Sequence, residues 1–323
     1  MRTTNKALGV AALCFGSAVA IAVPAQAWEP THPIEIIVPA GTGGGADQMA
    51  RVTQGIITKH NLSKQSVVVI NQSGGAGGEG FLAAKIAKGD GHKLIITLSN
   101  LFTTPLATGI PFNWKDLTPV AMLALDQFVL WVSTETPYKS AKEYLGAVKK
   151  AGPNKFKMGG TGSKQEDQII TVAIEKATGA KFTYVPFKGG GEAVAAIVGG
   201  HVTAGVSGVG EFAEQVKGGR MRALGVSAPS RMNGIPTLKE QGIDVELANW
   251  RGVFGAPGIT TAQRDALVNL AKAATDSATW KTALEKFDWA PIFLGGDAFK
   301  KFVDEDSKRV ASIIDSLGIK KKK

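Results

Sequence analysis

Pro33-Ile34-Glu35-Ile36-Ile37-Val38-Pro39-Ala40-Gly41-Thr42-Gly43-Gly44-Gly45-Ala46-Asp47 holds a β-branched run, a glycine turn and the start of a periodic apolar segment. The run reads as a buried strand, and Asp47 to Lys59 repeats its apolar residues at helical spacing. The order returns downstream. Ser66 to Ile70 is a second β-branched run, followed by Asn71-Gln72-Ser73-Gly74-Gly75-Ala76-Gly77-Gly78 and a helix over Phe81 to Ala87. Lys93 to Leu98 is a third strand ending in Ser99-Asn100. Further strands are expected at Phe128 to Val132, Lys155 to Met158, Phe182 to Pro186, Val202 to Val206, Arg222 to Val226 and Gly252 to Phe254, with helices between most of them. Alternation of this kind predicts an α/β protein with largely parallel sheets, and the stretch Thr260 to Leu317 reads as mostly helical.

The opening pattern has a partner. Val185-Pro186 is followed by Gly189-Gly190-Gly191-Glu192-Ala193, about one domain length after Val38-Pro39. Two lobes, each presenting a glycine turn, are therefore expected. The division read from the chain places 28–126 and 227–275 in lobe 1, 127–226 and 276–317 in lobe 2, and leaves 318–323 as a solvated basic tail.

The chain has 323 residues, 37 Lys and Arg against 27 Asp and Glu, and a single cysteine. With 44% hydrophobic residues it can bury a full core, which excludes a disordered chain. Residues 1–27 read as a signal peptide: Arg2 and Lys6 precede an apolar run, and Pro24-Ala25-Gln26-Ala27 offers an A-x-A cleavage site after Ala27. Cys14 lies inside that run, so disulfide and thiolate-metal chemistry are not expected of the exported part. An exported protein also gives the terminal lysines no nucleic acid to bind, and no cofactor or metal is expected.

A glycine turn entering a helix exposes backbone N–H groups at the positive end of the helix dipole, an arrangement suited to carboxylate or phosphate. Four turns qualify: Gly41 to Gly45, Gly74 to Gly78, Gly159 to Ser163 and Lys188 to Gly191. Close packing of a helix on its strand accounts for any one of them alone. Four at the same end of successive strands point to a ligand site. Gly41-Thr42-Gly43-Gly44-Gly45-Ala46 and Gly75-Ala76-Gly77-Gly78-Glu79-Gly80 both fit a dinucleotide fingerprint, but the second strand ends at Ile70-Asn71-Gln72, with no acid for a ribose. No G-K-[ST] is present, so a phosphate-binding P-loop is excluded. Gly205-Val206-Ser207-Gly208-Val209 resembles a nucleophile elbow but lacks the last glycine, and His32, His60, His92 and His201 show no metal-ligand spacing. Thr161 or Ser163 is expected to cap a helix running to Ala177, with Glu166 completing a capping box. Lys164 then falls in the first helical turn, where a cation opposes the dipole. Contact with a ligand carboxylate would compensate; pairing with Glu166 and Asp167 is the competing arrangement.

Together these segments resemble the periplasmic substrate-binding receptors of tripartite tricarboxylate transporters, the Bug proteins. Pro33 to Asp47 resembles the family's first strand and ligand loop, and Asn71 to Gly78 its N-R-x-G-A-G-G segment. Gly160-Thr161-Gly162-Ser163 resembles G-x-G-S, and Val185-Pro186-Phe187-Lys188-Gly189 resembles V-P-Y-K-G. Gly199-Gly200-His201-Val202, Gly219 to Leu224 and Ile235-Pro236-Thr237-Leu238 follow in the family's order. The resemblance implies a two-lobed periplasmic-binding-protein-like fold with a carboxylated ligand in the cleft, delivery to a two-subunit membrane permease, and no catalysis. The ligand-binding set implied by loops and resemblance is Thr42, Gly43, Gly44, Asp47, Gly75, Ser99, Asn100, Thr161, Gly162, Ser163, Lys164, Lys188, Gly189 and Ser207. Three departures bear on ligand identity: Gln72 for an Arg, Phe187 for a Tyr, and Glu166-Asp167 where many members have His-Leu. The expected function is a periplasmic receptor for a small organic carboxylate. The alternative is an exported α/β enzyme acting on a carboxylated or phosphorylated small molecule, against which stands the lack of a nucleophile–base–orienter set.

Overall fold

The computed structural model describes residues 28–247 and 249–316. The expected signal peptide over 1–27 and the tail over 318–323 lie outside the described residues. Elements are numbered along the chain. Strands β1 (Ile34–Val38), β2 (Val67–Asn71), β3 (Lys93–Thr97), β4 (Thr118–Asp126), β10 (Trp250–Gly255) and β11 (Trp289–Gly295) form one sheet, in the order β11-β4-β10-β3-β1-β2. Strands β5 (Phe128–Ser133), β6 (Phe156–Thr161), β7 (Phe182–Phe187), β8 (Ala204–Gly208) and β9 (Met221–Val226) form the second, in the order β7-β6-β8-β5-β9. The helices are α1 (Gly45–Lys59), α2 (Gly78–Ile86), α3 (Asn100–Thr108), α4 (Ala141–Ala151), α5 (Glu166–Thr178), α6 (Gly190–Val198), α7 (Val209–Lys217), α8 (Thr261–Asp276), α9 (Ala278–Phe287) and α10 (Gly296–Ser316).

Each sheet is buried on both faces, which explains the nearly continuous apolar runs of its strands. In β1, Ile36 enters a core shared with Met49 and Ile56 of α1 and Trp280 of α9. The next residue, Ile37, enters the opposite core with Phe81, Leu101 and Phe299. The second sheet divides in the same way, with Leu130 facing Tyr144 and Ile174, and Trp131 facing Phe212. Trp131 and Phe212 stack with ring centroids 4.7 Å apart.

The sheets are mixed rather than largely parallel. β1 runs parallel to β2 and β3, and β6 to β7 and β8. β10 is antiparallel to β3 and β4, β11 to β4, and β5 to β8 and β9. The cause is the traffic between lobes: β4 and β5 carry the chain out of the first lobe, and β10 brings it back. Strands β4 and β11 were not expected from the sequence; β11, with Pro291 inside it, lies in the stretch read as helical.

The lobe boundaries also differ from expectation. Leu238, Ile243 and Val245 join Leu130 and Tyr144 in the second lobe's core, so 227–247 packs there and not on lobe 1. Trp280 and Trp289 lie in the first lobe's core, as do Phe299 and Val303 of α10, so 276–316 belongs mainly to lobe 1. The β11–β4 pairing, a long-range contact with no local signature, holds that segment in place. The far end of α10 does reach lobe 2, where Val310 and Ile314 pack on Ile169 of α5.

The crossing segments are pinned by a buried ion pair. Arg251 of β10 donates through Nε and Nη2 to Asp126 Oδ2 at the end of β4, at 3.0 and 2.5 Å. Both side chains are 5% exposed or less. Nearby, the Asp126 N–H donates to Asn249 O at 2.8 Å and the Ser227 N–H to Phe128 O at 2.8 Å, tying the outgoing and returning chains together. Removing one member of such a pair leaves an uncompensated buried charge. Arg251→Met should therefore lower unfolding free energy by roughly 3–5 kcal/mol in a urea titration. Asp126→Leu combined with Arg251→Met should recover most of that loss. A single variant that unfolds like the parent would show that the pair does not hold the crossing together.

Candidate ligand-binding cleft

Helices α1, α2, α3, α5, α6 and α7 each begin just beyond the carboxyl end of a strand, and those ends face the boundary between the sheets. The glycine turns from the two lobes meet there. The Gly41 N–H donates to Lys188 O at 3.0 Å. A Cβ on Gly189 would stand 3.0 Å from the Gly41 backbone, and one on Gly44 would stand 3.4 Å from Gly190 N. These glycines bring the backbones of opposite lobes into contact, a use that strand-to-helix spacing could not show.

An open cleft of about 720 Å³ lies beside this contact, lined by Asn71 to Gly77 from lobe 1 and by Thr161 to Ser163, Phe187 and Lys188 from lobe 2. Gly75, Ala76 and Gly77 all have positive φ, which curls the loop into a tight rim. Below lies a small inner cavity of about 50 Å³, among whose walls are Gly44, Asn100, Glu166, Asp167, Glu211, Asn249 and Arg251. The two share Pro39, Thr161 and Gln165 as a wall. Gln165 Nε2 donates to Ala76 O at 2.7 Å and Thr104 Oγ1 at 2.9 Å, spanning from lobe 2 to lobe 1. Two more bonds cross the lobes: Ser99 Oγ to Glu166 Oε1 at 2.7 Å and Gln48 Nε2 to Gly210 O at 3.1 Å. These bonds tie the two lobes together beside the cleft.

Several turn amides are already taken by the chain's own carboxylates. Asp47 Oδ2 accepts from Gly43 N at 3.0 Å, Asp167 Oδ2 from Thr161 N at 2.7 Å, and Glu192 Oε2 from Lys188 N at 3.1 Å. Tyr184 holds the Thr161–Gly162 turn by donating to Gly162 O at 3.0 Å. Glycines make room for these groups. A Cβ on Gly190 would lie 1.5 Å from Glu211 Oε2, one on Gly45 2.0 Å from Arg251 Nη2, and one on Gly208 2.3 Å from Asp126 Oδ1.

Burial makes Glu166, Asp167 and Glu211 weaker acids than usual. It pushes Glu166 up to about 7, against the pull of the Ser99 hydroxyl. It pushes Glu211 to about 7 as well, with Arg251 opposing and Asp126 adding to the rise. Asp167 is raised well above the ordinary range by burial and by the charge of Glu211. Burial works against the charge of Arg251, but the Asp126 and Glu211 carboxyls outweigh it and keep the guanidinium protonated.

The expected site residues scatter across this region. Gly75, Thr161, Gly162, Ser163 and Lys188 line the open cleft; Gly44 and Asn100 line the inner cavity together with Thr161. Thr42 and Gly43 sit in the turn that faces Gly191. Asp47 anchors that turn: besides Gly43 it holds Arg51 through Nε at 3.0 Å and Asn71 Nδ2 at 2.9 Å. Ser99 acts on Glu166, and Gly189 packs against Gly41. Ser207 is buried in β8, where its carbonyl accepts from Trp131 Nε1 at 3.3 Å. Lys164 precedes α5 with φ 58°, its N–H donating to Gln168 Oε1 at 2.6 Å, and lines neither cavity. The expected capping box is not formed, because α5 starts at Glu166 with Gln165 as its N-cap. Glu166 and Asp167 are both buried, at 8% and 7% exposure, not solvent-facing.

Asp126, Gln165, Glu211, Asn249 and Arg251 were not anticipated. A signal existed: Arg251 interrupts an apolar strand, and Asp126-Gln127 stands between two apolar runs. Charges in such places need partners, and the partner of each is more than a hundred residues away. One further cluster escaped spacing rules. His32, Asp90 and His92 meet near Trp28, with ligand atoms within 4.8 Å of one another. His92 is internally satisfied, Nε2 accepting from Thr31 N at 3.0 Å and Nδ1 meeting Asp90 Oδ1 at 3.0 Å.

The fold and cleft define a two-lobed solute-binding protein. Residues 49–319 match the tripartite tricarboxylate transporter family receptor, and the chain belongs to that family. It is a receptor rather than an enzyme. It is 30% identical to the UPF0065 protein in gbd 5'region of Cupriavidus necator, over 97% of this chain and 96% of that one. It is 28% identical to protein BugT of Bordetella pertussis, over 95% and 96% respectively. Among solved structures it resembles a periplasmic transporter with 27% identity and a TM-score of 0.80, covering 89% of this chain and 95% of the other. It also resembles R. palustris Rpa4515 with adipate, at 24% identity and a TM-score of 0.81, covering 90% and 98%.

The raised carboxyls give stability a definite pH dependence. Between the ordinary glutamate value of 4.5 and about 7, folded Glu166 and Glu211 hold protons that the unfolded chain has released. Their contribution is complete below the lower value and is lost as pH rises through the upper one. The urea midpoint should fall between pH 5 and pH 8, and Glu166→Gln should reduce that fall. An unchanged pH slope in the variant would place the Glu166 titration elsewhere.

Proposed function

We propose that the protein is a periplasmic receptor that captures a small organic carboxylate between its lobes and presents it to a two-subunit integral membrane permease. The reading rests most on the open cleft, where the Gly75 rim of one lobe faces Thr161, Gly162, Ser163 and Lys188 of the other. Turns of both lobes, a hydroxyl and the Lys188 side chain line it alongside Glu79 and Glu192, so a carboxylate touching both lobes would favour the closed state. Family membership and the adipate in a similar structure support the same ligand class. The apolar leader with its A-x-A site supports export, with cleavage after Ala27.

Mass spectrometry of material released from natively purified protein should recover a carboxylic acid, and titration calorimetry should then give its affinity. Lys188→Met should weaken that binding roughly ten- to a hundredfold through loss of a charge-assisted bond. Wild-type affinity in the variant would remove Lys188 from the site. Absence of binding by any carboxylate tested would overturn the reading.

A further inference from the structure

The inner cavity is rich in acids. Glu166, Asp167 and Glu211 border it, and Asp126 lies behind it, bound to the one guanidinium present, Arg251. The Asp126–Arg251 pair closes on itself, so three carboxyls stand in excess. Asp167 already satisfies one donor that an incoming anion would use, accepting from Thr161 N. An independent feature marks the same spot. Asn249 lines the cavity at 2% exposure, yet neither its Oδ1 nor its Nδ2 has a hydrogen-bond partner. Glu211 Oε2 is also buried and unpartnered. Buried polar atoms without partners are rare in folded proteins and call for an explanation.

We propose that the carboxylate this receptor binds also carries a primary ammonium group, which enters the inner cavity and is held by Glu166, Asp167, Glu211 and Asn249 Oδ1. The inference rests on the carboxylate-receptor reading and specifies the class of carboxylate. An ammonium offers three donors and a positive charge, matching an acceptor-rich, acid-rich pocket. At about 50 Å³ the cavity admits a group of that size but not a second carboxylate with its chain. The carboxylate end remains in the open cleft near Ser163 and Lys188, across the wall formed by Gln165. An amine-free dicarboxylate would have to place a second anion against three acids, or hold them protonated.

Calorimetry with the full-length exported protein tests this, using skeleton-matched pairs with the ammonium remote from a single carboxylate: β-alanine against propionate, 4-aminobutyrate against butyrate, and 5-aminovalerate against valerate. At pH 8, where the acids are most ionised, at least one amine-bearing member should bind tenfold or more tightly than its match. Glu166→Gln should reduce that preference severalfold, and Glu211→Gln provides a second variant should the first fail to fold. Equal or tighter binding of the amine-free members would overturn the inference while leaving the carboxylate receptor intact. Binding by neither set would overturn both.

Discussion

The Asp126–Arg251 pair is the constraint on which the rest of the molecule depends. It joins the last residue of the outgoing strand β4 to the returning strand β10, at the level where the two sheets meet. Buried ion pairs are weak sources of net stability, because desolvation offsets much of their attraction. Their value here is positional. Each partner is costly to bury alone, so the two crossings are held in one register, and that register sets where the lobes' turns face each other. Gly45 and Gly208 accommodate the pair, since a side chain at either position would collide with it.

The glycine turns acquire a second meaning from this arrangement. In a single βα unit such a turn exposes amides to a ligand or lets a helix pack on its strand. Here the turns beginning at Gly41 and Lys188 also form the contact between lobes, backbone to backbone. Asp47 and Glu192 cap amides of these turns, and Asp167 caps that of Thr161. The inner cavity is acidic, while the open cleft carries Lys188 beside Glu79 and Glu192. Gln165 separates the two zones and links the lobes at the same time.

The division of the chain into lobes shows where local reading loses its grip. Residues 227–247 have little regular structure, and only the burial of Leu238, Ile243 and Val245 beside Tyr144 assigns them to the second lobe. The segment 276–316 is mostly helical, yet β11 pairs with β4 and carries it to the first. Pro291 within β11 weakens the strand signal, which is tolerable because β11 lies at the sheet's edge.

What the sequence determined by itself was local and repetitive. Apolar runs, glycine turns and helical spacing located most strands and the helices beside them, because these depend on neighbouring residues. The order of the glycine motifs carried the family resemblance, and the turns at Thr161 and Lys188 line the open cleft between the lobes. The tertiary structure decided everything that required distant residues to meet. Arg251 finds Asp126 across a gap of 125 residues, Ser99 finds Glu166 across 67, and His32 stacks on His92. Lys164, which local spacing puts in a helix's first turn, precedes that helix by two residues and lines neither cavity. Charge at one position reads as surface or site depending on what covers it, and that covering comes from chain far away in sequence.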